Sequence, residues 1–318
     1  ESFSYDSTGQ LTSHTDFTNQ TTRYAYDTLN RLILTQYPDG RSVKNTYNAN
    51  QQLETVTESQ TVNGKVVNQV TKYSYDINDR LVKVTYPNNQ SISYSYDAVG
   101  NLLTRSTVNG TTKYSYDLND RLATVADSQG GVTRFSYDAV GNKTERVLAN
   151  GIKTTWQYNS RNQLIGLSHR QVDGTLIADY QYSLYAKGNR IAITESLVNE
   201  QGQSHQRQLA YSYDNVDRLV SETVTDSDNA FGGSYSRSYQ YDSVGNRSQQ
   251  SHTANNQTVT TTYSYDVNDQ LQRETISTAT GSVQNSYRYD KNGNLIEKAN
   301  AQGLLAQYRY NTQNQLAE

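Results

Sequence analysis

Tyr94-Ser95-Tyr96-Asp97-Ala98-Val99-Gly100-Asn101-Leu102 and, twenty residues on, Tyr114-Ser115-Tyr116-Asp117-Leu118-Asn119-Asp120-Arg121-Leu122 are two copies of one phrase. Residues i and i+2 of a strand point to the same face, so the two tyrosines of each copy project side by side. The aspartate that follows can hydrogen-bond its own backbone two residues on, which starts a turn. Four residues after the second tyrosine stands Gly100 or Asp120, residue types that tolerate a left-handed backbone. The leucine two positions later anchors a return strand. The phrase therefore predicts strand, tight turn, strand.

Outward from these copies the phrase fills the chain. Its second tyrosine recurs fourteen times, at Tyr5, Tyr26, Tyr47, Tyr75, Tyr96, Tyr116, Tyr137, Tyr158, Tyr182, Tyr213, Tyr241, Tyr265, Tyr289 and Tyr310. Seven of the thirteen intervals are 20 or 21 residues, and the others reach 24, 28 or 31. The position two before is aromatic in thirteen units, with Phe3, Phe135 and Trp156 replacing tyrosine and Asn45 the exception. Asp follows in ten units, Asn in three and Ser183 in one. Gly, Asn or Asp occupies the fourth position in twelve units, and leucine the sixth in eleven. A second turn closes each unit, read in Pro38-Asp39-Gly40, Asn63-Gly64, Pro87-Asn88-Asn89, Asn109-Gly110, Asn150-Gly151, Asp173-Gly174 and Gln302-Gly303. Asn-Gly and Asp-Gly between alternating segments are strong hairpin signals, and both prolines of the chain fall in these turns.

Internal repetition of this kind sets the architecture. The expected fold class is all-β: tandem hairpins forming a spiralling ribbon, solenoid-like, with units that contact mainly their neighbours. Fourteen hairpins give about 28 strands and, at about 4.8 Å per strand, a ribbon on the order of 130 Å long. The whole of residues 1–318 reads as a single array, a fragment of a longer polypeptide, with longer or irregular units at about 159–265. Elongated hairpins or protruding loops are expected there, around Ser196–Gln206 and Thr225–Gly233. Tyrosines of adjacent hairpins are expected to stack as cross-strand aromatic pairs, and Gly100 and Gly141 to have positive φ.

Composition agrees. Leu, Ile, Val and Phe make up only 60 of 318 residues, while the net charge of -3 is too small for a disordered chain. The 28 tyrosines resolve the conflict, since each buries a large ring and keeps its hydroxyl wet. Helix is not a competitor in a chain so rich in Thr, Ser, Tyr, Asn and Val that turns about every ten residues. The absence of cysteine removes disulfides and thiolate metal sites. No apolar run reaches the length of a membrane span, and scattered Lys and Arg leave no electrostatic footprint for nucleic acid.

These units, with their Tyr-Asp-x-x-(Gly/Asn/Asp)-x-Leu core, resemble the RHS or YD repeats of bacterial Rhs proteins, of the shell components of insecticidal Tc toxins and of teneurins. The resemblance covers essentially the whole chain. It implies a hollow shell spiralled from a β-ribbon around a toxic C-terminal segment. It also implies a secreted or cell-surface setting. The expected role is a non-catalytic wall segment in a secreted bacterial toxin. Its partners would be the remainder of the parent polypeptide and an enclosed toxin or effector segment. Complete shells of this kind end in a segment beginning Asp-Pro where aspartates release the cargo; neither proline here follows an aspartate, so no cleavage residues carry over.

Other constellations weigh less. His14, His169, His205 and His252 fall in different units without a metal spacing. No nucleophile elbow or phosphate-cradling glycine loop is present. One aspartate per unit at a turn is a folding device, so no catalytic, metal or cofactor residues are assigned and no enzyme is expected. Asp226-Ser227-Asp228-Asn229 resembles the start of a calcium loop but lacks its glycine and distal glutamate. The alternative reading is a carbohydrate-binding or adhesion module, because tyrosine ladders resemble sugar platforms; against it, cage-forming repeats use tryptophan and only Trp156 is present. Raw ribbon ends make end-to-end self-association an expectation too.

Overall fold

A computed structural model of the chain describes residues 1–199, 201–226, 229 and 232–318. Twenty-seven strands, from Ser2–Tyr5 to Gly303–Gln307, form one sheet with no helix among the described residues. Each strand pairs antiparallel with the next in sequence, so the topology is an uninterrupted meander. Motif turns lie along one edge of the ribbon and return turns along the other, as alternation in a meander requires.

Most motif turns share one build. The aspartate carboxylate accepts backbone N–H groups two and four residues on, as Asp97 does from Val99 (3.1 Å) and Asn101 (2.8 Å). The fourth residue takes positive φ in every unit but one: Gly100 at 105° and Gly141 at 98°, Asn30 and Asp79 near 60°, and even Gln51 at 67°. A bulge follows, Tyr96 pairing with Leu102 while Ser95 pairs with Thr104, which leaves Leu103 extra. Repeated from unit to unit, that bulge adds twist at recurring places along the ribbon.

Tyr182 departs from this register. The bulge of its unit lies between Ser183 and Leu184, and the positive φ falls at Gly188. Leu184 therefore holds the position that a tyrosine holds elsewhere, and Tyr182 holds the aromatic position two before it. The apparent degradation at Tyr182-Ser183 is a two-residue displacement, because the turn follows Gly188 rather than Ala186.

Strand length varies. Strands of five or six residues such as Leu81–Thr85 and Ser91–Tyr96 dominate the first half, and those from Leu164–Arg170 to Gly281–Tyr289 run to seven to ten. The pair Arg190–Val198 and Ser204–Tyr213 makes one long hairpin over the Ser196–Gln206 stretch. The longest hairpin lies elsewhere, at Leu53–Val62 and Lys65–Tyr75. The expected loop at Thr225–Gly233 and the calcium-like segment at 226–229 lie partly outside the described residues.

No thick core exists. Val84, Ala178, Ile193, Leu209 and Val224 are the buried hydrophobic residues among those described. Three of them line up across neighbouring strands with Tyr182 and Tyr235 at the ends, in the register Tyr182, Ile193, Leu209, Val224, Tyr235. Large side chains occupy the motif-tyrosine face. The opposite face carries hydroxyl pairs across strands, such as Ser95 with Thr104 and Ser115 with Thr124, both at 2.6 Å. The layer is one side chain deep, which explains how so few aliphatics suffice.

Candidate functional site

The chemistry of the chain is concentrated in two places: the seam where one unit meets the next, and the line where the ribbon meets itself. The seam begins with the motif tyrosine. Its hydroxyl crosses to the return strand of the preceding hairpin and donates to the backbone carbonyl of the leucine position. Tyr96 reaches the Leu81 carbonyl at 2.8 Å, Tyr116 that of Leu102 at 3.0 Å, Tyr137 that of Leu122 at 2.9 Å and Tyr241 that of Leu219 at 2.7 Å. Tyr26, Tyr47, Tyr75, Tyr158, Tyr213, Tyr265 and Tyr289 make the same bond. Tyr213 bonds the Arg190 carbonyl, which follows from the displaced register of the unit before it. Asn45, the one non-aromatic residue at its position, donates to the Leu32 carbonyl beside Tyr47.

These bonds replace the expected ring-on-ring stacking. Among the described residues no two tyrosine rings pair; the ring contacts are Phe3 on His14, Tyr180 against His169 and Tyr235 against His252. The reason is spacing. Motif tyrosines of successive hairpins are two strands apart, about 10 Å, beyond the 4.5–7 Å of aromatic pairs. Arginine covers the gap. Arg80 pairs with Asp76 at 2.8 Å, lies 4.9 Å from the Tyr96 ring centre and donates to the Asp97 carbonyl at 2.7 Å. Arg31, Arg121 and Arg218 likewise sit over Tyr47, Tyr137 and Tyr241.

A second type of seam alternates with this one. From Tyr75 onward the fourth and fifth positions read Asp79-Arg80, Gly100-Asn101, Asp120-Arg121, Gly141-Asn142, Asn162-Gln163, Gly188-Asn189 and so on to Asn314-Gln315, with no break. In each Gly-Asn unit the asparagine donates to the side chain at the fourth position of the next unit: Asn101 to Asp120 (2.9 Å), Asn142 to Asn162 (3.0 Å), Asn189 to Asp217 (3.4 Å), Asn246 to Asp269 (2.7 Å) and Asn294 to Asn314 (3.0 Å). Treating Gly, Asn and Asp as equivalent at that position concealed the alternation. It was legible in the sequence once Gly188 is counted in place of Ala186.

The tyrosine face also holds a part-buried row of charges. Arg207 lies 3.5 Å from Glu195, Arg237 3.3 Å from Glu222, and Glu274 accepts from Tyr287 (2.6 Å), Asn285 (2.7 Å) and Lys298 (3.2 Å). Burial would raise the Glu274 carboxyl, yet these three donors hold it below its ordinary range. Burial, with the Glu222 carboxylate adding, pushes the Tyr211 hydroxyl up to about 12. Every acid here is matched to donors and the phenol stays protonated, so the row is suited to holding strands together. The four histidines are dispersed: His14 beside Glu1, His169 on Thr154, His205 on Asn199 and His252 beside Tyr235. Among the described residues no group of three or more acids and histidines could hold a metal ion, and no helix is long and apolar enough to cross a membrane.

The second place joins residues more than 270 apart. Asn292, in a motif turn, donates to the Asp16 carboxylate at 2.8 Å, and Thr312, in the next motif turn, donates to Asp39 at 2.9 Å while Arg41 reaches Thr312 at 3.5 Å. Asp16 and Asp39 belong to return turns. The late motif edge thus seats on the early return edge, and a polar cavity of about 450 Å³ lined by Tyr37, Arg41, Glu58, Gln313 and Gln315 lies at the join. About 23 strand steps separate the joined turns, a path of about 110 Å that closes into a loop about 35 Å across.

Comparison with known proteins places this geometry. The teneurin YD-shell profile matches residues 52–230, and an RHS repeat profile matches 5–42. No curated relative matches the chain. Its fold resembles the crystal structure of TcdB2-TccC3-Cdc42 at 14% identity, with a TM-score of 0.55 over 99% of this chain and 21% of that one. It also resembles the Tc holotoxin pore of Photorhabdus luminescens at 18% identity, with a TM-score of 0.52 over 94% of this chain and 20% of that one. The chain therefore spans about a fifth of the length of these solved structures. With more than half of its residues matched by one profile and the ribbon fold in common, the chain belongs to the teneurin YD-shell family.

Proposed function

We propose that this chain is a structural wall segment of a YD-repeat shell, a non-catalytic scaffold that encloses a toxin or effector segment borne by the same polypeptide in a secreted bacterial toxin. The observation that carries this reading is the join of Asn292 to Asp16 and Thr312 to Asp39. A ribbon whose motif edge seats on its own return edge after one circuit winds as a wall, and a wall surrounds a volume. The row of matched charges and the protonated Tyr211 support a holding role over catalysis. The setting and the enclosed partner rest on the resemblance to shell components of toxins. Sugar binding is the poorer reading, because arginine covers Tyr47, Tyr96, Tyr137 and Tyr241 and their hydroxyls are engaged by carbonyls. The test uses the native polypeptide carrying Asp16→Ala and Asp39→Ala. Opening the join should expose the enclosed segment to protease while far-ultraviolet circular dichroism stays unchanged. Equal protection with and without the substitutions would count against enclosure by this wall.

A further inference from the structure

Four departures from the repeat meet on the tyrosine face around Trp156, the single tryptophan of the chain. Phe135 and Trp156 stand where most units have tyrosine, and Lys143 stands at the leucine position. Arg146 holds the ninth place after its motif tyrosine, which is Val84, Val125 or Leu167 in other units. Antiparallel register brings these residues together: Phe135 lies opposite Arg146, Arg146 opposite Thr154, and Thr154 opposite His169. Lys143 Nζ lies 5.4 Å and Arg146 Cζ 6.0 Å from the centre of the Trp156 ring, and Lys143 Nζ is 5.3 Å from that of Phe135.

Charge in this patch has one sign. Elsewhere on the same face Arg207, Arg237 and Lys298 each reach a glutamate. Lys143 and Arg146 form no ion pair among the described residues, and the neighbouring Glu145 is on the other face, paired with Lys153 at 2.5 Å. The Nε–H of Arg146 is shut from solvent without an acceptor, and its Nη2 reaches only the Thr154 hydroxyl, at 3.4 Å. Thr154 is 1% exposed and is held in turn by His169 Nδ1 at 3.0 Å. Burial first, and the Arg146 guanidinium second, hold His169 below its ordinary pKa, so it is neutral at neutral pH. Aromatic faces offset part of the cost of drawing a guanidinium out of water, but they give it neither an acceptor nor a counter-ion.

We propose that Lys143 and Arg146 bind an oxyanion, a phosphate or carboxylate group, against the Trp156 ring, with Thr154 and His169 positioning the guanidinium. The planar fork of an arginine matches two oxygens of such a group, and the lysine adds a compact charge. This site stands apart from the wall reading, and neither depends on the other.

Trp156 is its own reporter, because light at the red edge of indole absorption excites it and none of the 28 tyrosines. The purified chain is titrated with potassium phosphate and, separately, with potassium acetate, each against potassium chloride at equal ionic strength. Trp156 emission should change and saturate with an oxyanion and not with chloride. Saturation at lower phosphate than acetate assigns the site to phosphoryl groups, and the reverse order to carboxylates. Arg146→Gln and Lys143→Gln should each weaken binding about tenfold, the worth of one charge-assisted hydrogen bond, with circular dichroism unchanged. Arg105→Gln removes an exposed arginine from the same place in an earlier unit and should leave binding unaltered. If Arg146→Gln disturbs the fold, Lys143→Gln decides alone. No response, a response that chloride reproduces or that never saturates, or one that survives the glutamine variants would overturn the proposal.

Discussion

At the scale of single residues, the motif tyrosine acts through its hydroxyl as much as through its ring. Tyr96→Phe keeps the ring and leaves the Leu81 carbonyl without its donor, so a denaturant titration should show a loss of about 1 kcal/mol. Tyr94→Phe, at the aromatic position two before, should cost less, and equal losses would mean that the hydroxyl bond is unimportant. Gly100 makes a different demand. An added Cβ would meet nothing within 4 Å, so the cost of Gly100→Val is torsional, set by φ of 105°. It should amount to about 1–3 kcal/mol; a neutral result would contradict the strained-turn reading. The turn aspartates set the acid limit. Backbone N–H and guanidinium donors from Arg80 hold the Asp76 carboxyl below the ordinary carboxylate range, and donors from Asn142 and Arg218 do the same for Asp138 and Asp214. A carboxyl with a lowered folded pKa stabilises above its unfolded pKa and loses that contribution as pH falls through the folded value. The melting temperature should be level from neutrality to about pH 5 and drop below about pH 4. A drop that began near pH 6 would implicate the histidines instead.

At the scale of the hairpin, two seams alternate, and each can be probed by its own pair. Asn101 and Asp120 lie in successive units, and a double-mutant cycle to alanine should return a coupling of about 0.5–1 kcal/mol. Zero coupling would reduce the alternation to a sequence habit. Arg80→Lys keeps the charge and loses the planar fork that spans Asp76, the Tyr96 ring and the Asp97 carbonyl. Strand, turn and return were legible in the sequence because the period of two along each strand and the left-handed residue are local demands. The alternation of Gly-Asn with the other pairs was legible too, but the bond it makes was not, because an asparagine that donates to the next hairpin looks the same as one that faces water. Tyr182 shows the limit of reading by motif. Its Tyr-x-Tyr spacing is intact, yet the positive φ needed at Gly188 moves the bulge to Leu184, and turn geometry overrules aromatic spacing. The missing ring stacks follow from the same cause, since strand spacing, not residue type, decides who can touch whom.

At the scale of the whole molecule, neighbouring units supply nearly every contact, and the join of Asn292 to Asp16 and Thr312 to Asp39 turns a strip into a wall. Local seams fix the strip; curvature summed over some two dozen strands decides whether its edges meet, and no single phrase in the sequence encodes that sum. The chain has no cysteine, so a pair introduced at Phe17 and Lys291 can be labelled with spin probes without interference. Both positions are exposed and adjoin the join, and pulsed dipolar spectroscopy on that pair measures whether the ribbon closes. A closed circuit predicts one short distance, no longer than the two label arms and the contact between them. An uncurved strip would hold the labels about 110 Å apart, beyond dipolar reach, and the absence of any coupling would contradict the wall.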